Sequence, residues 1–346
     1  MATFLFVTWE GGGNVNPVLG LTARLVERGH AVRVLGPASV RERAEAAGAV
    51  LVERDAAVEW DAAALAADVT VALAGVDVVV VDYMLPTALC AAEASGRPAA
   101  ALVHTLFGAL VVDGEFGTMQ MAATVAQVNE VRAGLGLAPV ERMADLLGRV
   151  DRTLVLAPAE LDDPVHPGAV YCGPVPEDAG PDAGWAPLGE GPLVAVSLGT
   201  TPMDEGPVLQ RVLDAVAALP VQVLATVGDH LDPAAFSAGP NTTVSRTVRH
   251  AAVLPHAAVL VTHAGLGSVL AGLAWRVPMV CLPLGREQPV NAAAVARLGA
   301  GRVLPIDADP AAIRAAVVDA LSSTPPAVPV DPSGQRCVDA LESLAG

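Results

Sequence analysis

Lysine is absent from this 346-residue chain, so all 20 of its cationic side chains are arginines. Aromatic residues make up only 3% of it and cysteine occurs four times. Each shortage excludes something. With no lysine and a net charge of −17, the chain would be repelled by nucleic acid and by anionic membrane surfaces, so neither is expected as a partner. Cys90, Cys172, Cys281 and Cys337 are widely spaced and form no CxxC or Cys/His cluster, which argues against a zinc site and fits a reduced, cytoplasmic setting. The uncharged run between Arg97 and Asp113 falls short of the roughly 20 apolar residues a membrane span needs. MATFLFVTWE has neither the basic region nor the cleavage-like stretch of a signal peptide, and a soluble protein is expected.

What the chain does have is small apolar side chains. Hydrophobic residues are 53% of the total, and the length is too great for one ordinary core, so two domains are expected. The first half alternates strand and helix patterns. Strands fall at Thr3 to Thr8, Ala31 to Leu35, Val50 to Val52, Val76 to Val81 and Ala99 to His104, with Thr153 to Ala157 as the last of the half. Helices fall at Val18 to Glu27, around Ser39 to Ala47, and at Pro86 to Ser95. Such alternation indicates a parallel, doubly wound α/β sheet. Thr118 to Leu135 is helical, with a Met119 and Met121 stripe weighed as core two to one, as a rough prior, over an acceptor pocket. A Pro, Gly and Asp-rich stretch divides the halves, giving residues 1–176, a linker at 177–192, and 193–346.

The most informative stretch is Val259 to Ala292. A strand-like Val259-Leu260-Val261-Thr262 turns through His263-Ala264-Gly265-Leu266-Gly267-Ser268 into a helical pattern. That geometry offers unpaired backbone N–H groups and the positive end of a helix dipole to an anion. Gly265 and Gly267 let a phosphate approach the backbone, and His263 and Ser268 add donors. Glycine is common in any strand-to-helix turn, so the glycines alone leave the question about even. A second strand, Met279 to Leu282, is followed by Pro283, Glu287 and Gln288, with Asn291 opening a helix. A carboxylate and an amide at that sheet edge suit sugar hydroxyls.

THAGLGS, VPMVCLP, EQ and NAAAV together resemble the donor-binding segment of family 1 glycosyltransferases, particularly bacterial natural-product and antibiotic-biosynthesis enzymes of the macrolide kind. The resemblance covers nearly the whole chain. It implies a GT-B fold, two facing Rossmann-like domains with an acceptor-binding N-terminal half and a C-terminal half holding an NDP-sugar, its last helix packing back on the first domain. By that resemblance His263 and Ser268 touch the diphosphate, Glu287 and Gln288 hold sugar hydroxyls, and Leu198-Gly199-Thr200 lines the donor cleft. Two departures concern the nucleotide: Ala271 replaces the usual ribose-binding Glu, and Arg249-His250 replaces the Pro-Gln that presents backbone to the base.

The other functional turn is Glu10 to Pro17, EGGGNVNP. Neither a dinucleotide fingerprint nor a P-loop fits it, because position 16 is Asn and GxxxxGK[ST] is absent. In the family this turn reads G-H-x-N-P, its His taking the acceptor's proton while an Asp on a later strand orients it. The Asp is Asp82, weighed at two to one, as a rough prior, over a structural cap. The His position is Asn14, whose carboxamide cannot collect a proton. General-base help is worth about 10²- to 10⁴-fold, so either Asp82 acts directly, with burial as the source of its basicity, or the acceptor is already nucleophilic. His104, Glu10, Asp113 and Glu115 are fallback bases, and His104 is better read as a satisfied core histidine. Trp9, Tyr83 and Phe107 are the few rings able to stack on a flat acceptor, though each is better read as core or rim.

The expectation is therefore an inverting, metal-independent glycosyltransferase with no cofactor besides its NDP-sugar co-substrate, acting on an aromatic or polyketide-like small molecule. The segment between the Val50 strand and Val76 is short for the family, so the acceptor pocket is open or completed by a second copy or an auxiliary chain. The alternatives are a non-catalytic partner of a true transferase and a GT-B sugar-nucleotide epimerase.

Overall fold

The computed structural model describes residues 1–346 except 12, 56–60, 112–122, 164, 176–188, 190, 200–201 and 332. Expectations placed on Asp113, Glu115, Met119, Met121, Thr200 and most of the 177–192 linker lie outside the described residues. The chain divides into two compact units, one of Met1–Asp178 with Asp331–Gly346 and the other of Ala179–Val330.

In the first unit the strands are β1 (Thr3–Val7), β2 (Ala31–Pro37), β3 (Val50–Arg54), β4 (Val78–Asp82), β5 (Ala99–Val103), β6 (Arg152–Val155) and β7 (Ala169–Tyr171). They form one seven-stranded sheet in the order β3-β2-β1-β4-β5-β6-β7, every pairing parallel. β4 and β5 are buried at all five positions, as strands covered by helices on both faces must be. The helices are α1 (Val15–Glu27), α2 (Arg41–Ala46), α3 (Ala62–Ala72), α4 (Pro86–Ala94), the short α5 (Gly108–Val111) and α6 (Val125–Gly134), with α12 (Gln335–Glu342) returning from the chain's end.

Three boundaries differ from the sequence expectation. The strand over Thr153 to Ala157 is not the last of the half, because β7 pairs beyond it, a three-residue strand too short to show a period. α3 occupies the segment read as short, its start marked by Asp61, whose carboxylate caps the Ala64 N–H at 2.8 Å. α1 begins at Val15 and not at Val18, since Val15 is fully buried and extends the apolar face one turn back.

The core of this unit joins Phe4, Phe6, Leu21, Leu25, Val78 and Leu102 to Cys337, Val338 and Leu341 of α12. Those three α12 residues fall on one helical face, which the helix lays against this core. Around them Arg28 reaches Asp339 at 3.0 Å, and His30 Nε2 reaches Glu342 at 2.9 Å. Arg24 Nε donates to the Ser333 carbonyl at 2.6 Å.

The second unit has β8 (Leu193–Ser197), β9 (Gln222–Thr226), β10 (Thr242–Ser245), β11 (Ala257–Thr262), β12 (Met279–Cys281) and β13 (Gly301–Val303). The order is β10-β9-β8-β11-β12-β13, again wholly parallel. Its helices are α7 (Gly206–Val216), α8 (His250–Val253), α9 (Leu266–Ala274), α10 (Gln288–Arg297) and α11 (Pro310–Leu321). Val196, Leu209, Val212, Val261, Val280 and Val317 lie in its own hydrophobic core. Among the described residues no helix is long and apolar enough to cross a membrane.

Both sheets reverse their winding once, between β1 and β4 in the first and between β8 and β11 in the second. Ligands of open α/β sheets bind outside the carboxyl ends of the strands at such a reversal. The turns singled out from the sequence begin there: EGGGNVNP after β1 and Leu198-Gly199 after β8, with Asp82 ending β4 and His263 following β11.

Candidate active site

In the first unit the register pairs Val7 with Val81, so the turn after β1 emerges beside the end of β4. Asp82, 2% exposed, is the hub there. Its Oδ2 accepts from Asn14 Nδ2 at 3.1 Å, and its Oδ1 accepts the Met84 N–H at 3.0 Å and lies 3.1 Å from His104 Nε2. Asn14 occupies the cap position of α1 with a helical backbone and makes no cap bond, because its side chain is used elsewhere. Its Oδ1 accepts the Gly11 N–H and its Nδ2 donates to the Trp9 carbonyl, both at 2.9 Å. The carboxamide braces the glycine turn and ties it to Asp82.

His104, expected as a satisfied core histidine, is mostly buried and finds its partner through β5, which pairs beside β4 with Asp82 opposite Leu102. Two residues further on, the imidazole meets the carboxylate, with its side chain 14% exposed. Strand order supplied this neighbour, and strand order is not visible in a strand's own residues. Glu10 is exposed and accepts from Ser39 Oγ at 3.3 Å.

Of the three candidate stacking rings, Tyr83 and Phe107 are buried and Trp9 is half-buried. Trp9 covers Gly11, where a Cβ would lie 2.3 Å from the indole. Tyr83 is buried, its ring tilted against His104 with centroids 4.9 Å apart. Phe107 is buried against His166 at 4.1 Å.

In the second unit α9 starts at Leu266 behind Gly265, with no side chain capping its first N–H groups. Those donors are the ones an anion would use. Ala264, fully buried, has φ 66°, the left-handed region that a residue with a Cβ avoids. Two hydrogen bonds hold it there. Its N–H donates to Thr262 Oγ1 at 3.2 Å, and its carbonyl accepts from Asn291 Nδ2 at 3.0 Å.

The His263 ring crowds Gly265, where a Cβ would lie 2.5 Å from Nε2; at Gly199 a Cβ would meet the ring at an ordinary 3.4 Å, and it is the backbone, with φ 118°, that favours glycine. Burial, chiefly, holds the imidazole down at about 4, reinforced by His250 and Arg286 and opposed by the Ser197 carbonyl, 3.5 Å from Nδ1, and by Glu205. Neutral His263 thus carries one N–H. Ser268, in the first turn of α9, is 7% exposed.

Glu287 occupies the cap position of α10 without capping it and is half-buried. Gln288 is placed differently from the expectation. It is 2% exposed, its Oε1 accepts the Leu284 and Gly285 N–H groups at 2.7 and 3.2 Å, and its Nε2 faces Met203 Sδ at 3.2 Å. In this structure the amide shapes its own loop. α10 accordingly starts at Gln288 and not at Asn291. Arg249 is exposed at the cap position of α8.

Four neighbours were missed from sequence. Asn291 locks Ala264, and Arg286 places a positive field near His263 from a backbone at φ 55°. Buried Glu205 accepts the Met203 N–H at 2.8 Å and pairs with His230 Nε2. Of the non-glycine residues with positive φ among those described, Asp204, Ala264 and Arg286 all follow strand ends on this one edge. Backbone strain of this kind concentrates where a ligand is gripped.

Among the described residues no group of three or more His, Cys, Asp or Glu could hold a metal ion. Against the expectation that the sequence holds no Asp-x-Asp motif, Asp307-Ala308-Asp309 is one; Asp309 caps α11 through the Ala312 N–H at 2.8 Å.

The family model described as "Erythromycin biosynthesis protein CIII-like, C-terminal domain" matches residues 210–327. The 4'-demethylrebeccamycin synthase of Lentzea aerocolonigenes is 38% identical over 132 residues, 38% of this chain and 31% of that protein. The demethyllactenocin mycarosyltransferase of Streptomyces fradiae is 26% identical over 87% of this chain and 75% of its own length. The chain spans about a third of the length of the first curated relatives it matches. In structure it is similar to the kitacinnamycin glycosyltransferase, with TM-score 0.75 and 26% identity over 99% of this chain and 94% of that one. It is also similar to the calicheamicin glycosyltransferase, with TM-score 0.71 and 25% identity over 100% and 95%. Two parallel sheets with reversals at the predicted turns give the chain the GT-B fold of these glycosyltransferases, and its residues 210–327 are similar to the C-terminal domain that the family model describes.

Proposed function

We propose that this protein is an inverting glycosyltransferase that moves a sugar from an NDP-sugar to a small-molecule natural product. The observation that carries this is the turn at the β11 end, where uncapped N–H groups of α9, the neutral His263 ring and nearby Arg286 converge. Such a site suits a diphosphate, which is the leaving group of the transfer. Glu287 beside it suits a sugar hydroxyl.

The transfer is a single displacement at the anomeric carbon through an oxocarbenium-like state. As the acceptor's oxygen bonds to that carbon, the bond to the diphosphate breaks and its electron pair leaves with the phosphate. Donors at the helix start stabilise that charge where other transferases use a cation, so we propose that no metal is required. The natural-product relatives support an acceptor of that class for this chain.

Mass spectrometry of products from a panel of NDP-sugars and of phenolic, aminated and polyketide-type acceptors tests this, with and without EDTA. The expected result is one glycosylated product in which the anomeric configuration is inverted, at an EDTA-insensitive rate. Nucleoside-diphosphate binding without any product would instead leave a non-catalytic partner. Epimerised NDP-sugar without transfer would mark an epimerase.

A further inference from the structure

We propose that Cys172 and Cys337 form a reversible disulfide site, one that staples the returning tail to the first unit under oxidising conditions. In sequence the two are far apart, with the whole second unit between them. The fold brings them together. Cys172 directly follows β7, Cys337 lies in α12, and both sit in the same core, 1% and 0% exposed. The backbone around them is in close contact too. A Cβ on Gly173 would stand 3.0 Å from the Asp331 carbonyl oxygen, and one on Gly334 would stand 3.3 Å from a Val175 methyl. The segment 331–337 therefore runs against the segment 172–175.

The thiols also address one another. Cys172 Sγ donates to the Val170 carbonyl at 3.6 Å, which leaves its sulfur lone pairs to accept, and the Cys337 thiol is hydrogen-bonded to it. That bond, together with burial, pushes the Cys337 thiol well up from its ordinary range, so in the closed core it stays protonated and unreactive. Reaction needs an opening, and α12 supplies one, being eight residues held by a single apolar face. With the helix lifted, one cysteine attacks a small disulfide as a thiolate, forming a mixed disulfide and releasing one thiol. On redocking, the other cysteine displaces the second thiol and the protein S–S bond closes. Two electrons and two protons pass from the pair to the oxidant, which leaves as two thiols. The bond closes the loop from 172 to 337 and so constrains the unfolded chain, which is how long-loop disulfides stabilise. The other two cysteines are placed differently: Cys90 lies beside Arg132 Nη1 at 3.8 Å, and Cys281 ends β12 in the second unit.

The test equilibrates the full chain in graded mixtures of oxidised and reduced glutathione, traps remaining thiols by alkylation and maps the peptides by mass spectrometry. The expected product has one linkage, Cys172 to Cys337, with the intact mass lowered by about 2 Da and restored by a dithiol reductant. Cys90 and Cys281 should remain alkylated. The oxidised protein should melt several degrees above the reduced one, the direction set by closing so long a loop. A Cys90→Ala, Cys281→Ala double variant, which keeps only the pair, should show the same linkage and the same shift, whereas Cys337→Ala should show neither. Should Cys337→Ala fail to fold, the linkage map of the parent decides alone. Four free thiols in the parent under every mixture, a linkage that involves Cys90 or Cys281, or an oxidised form that melts no higher than the reduced one would each overturn the proposal.

Discussion

His263 concentrates the energetics of the proposed donor site in one ring. The free protein keeps it neutral down to about pH 4, against about 6.5 for an unhindered imidazole. Below pH 6.5 the unfolded chain therefore takes up a proton that the folded chain refuses, so this group's contribution to stability declines as pH falls from about 6.5 toward 4. A diphosphate bound beside the ring reverses the balance by favouring the charged form. Calorimetry of nucleoside diphosphate binding near pH 5.5, in buffers of different ionisation enthalpy, should show more proton uptake for the parent than for His263→Gln. Identical uptake in the two would mean that the phosphate does not touch this side chain. The turn itself was legible beforehand, since His263, Gly265 and Ser268 follow an apolar strand and lead into a helix. Asn291 and Arg286 did not, because a hydrogen bond to a left-handed alanine and a field across a loop are properties of folded geometry.

Among the elements, α12 makes the most specific energetic claim. It has only eight residues, too few to be stable alone, and it depends on burying Cys337, Val338 and Leu341. Leu341 is fully buried, so Leu341→Ala should cost about 2 to 5 kcal/mol, read as a lowered denaturation midpoint of the first unit. The surrounding pairs, Arg28 with Asp339 and His30 with Glu342, are partly exposed and add little by comparison. A Leu341→Ala midpoint equal to the parent's would show that the helix is ornamental. Strands and helices of strong pattern, such as β4 with VVVVD, were readable from sequence. β7, three residues long, was not, and neither was the neighbour relation of β4 and β5 that joins His104 to Asp82. Parallel pairing is set by crossover connections, which leave little trace in the strands they join.

For the whole molecule, the two units carry separate hydrophobic cores, and the turn proposed to bind the diphosphate belongs to the second. Heating should therefore give two unfolding steps, and a nucleoside diphosphate should raise only one of them. At one hundred times Kd the expected gain is about 2.7 kcal/mol, assignable by hydrogen exchange to residues 193–330. A ligand that shifted residues 1–175 instead would contradict the placement of the donor site. Length and the Pro, Gly and Asp-rich stretch led to an expected division of 1–176 and 193–346, whereas residues 331–346 group with the first unit.

The return of residues 331–346 to the first unit also governs how such chains can be recombined. A chimera spliced once in the linker, meant to import a new sugar specificity, would dock a foreign terminal helix on Arg28, His30 and the native core around Leu25. Exchange of donor preference between relatives should succeed more often with two crossovers, the second just before Asp331, so that the tail travels with the unit that buries it.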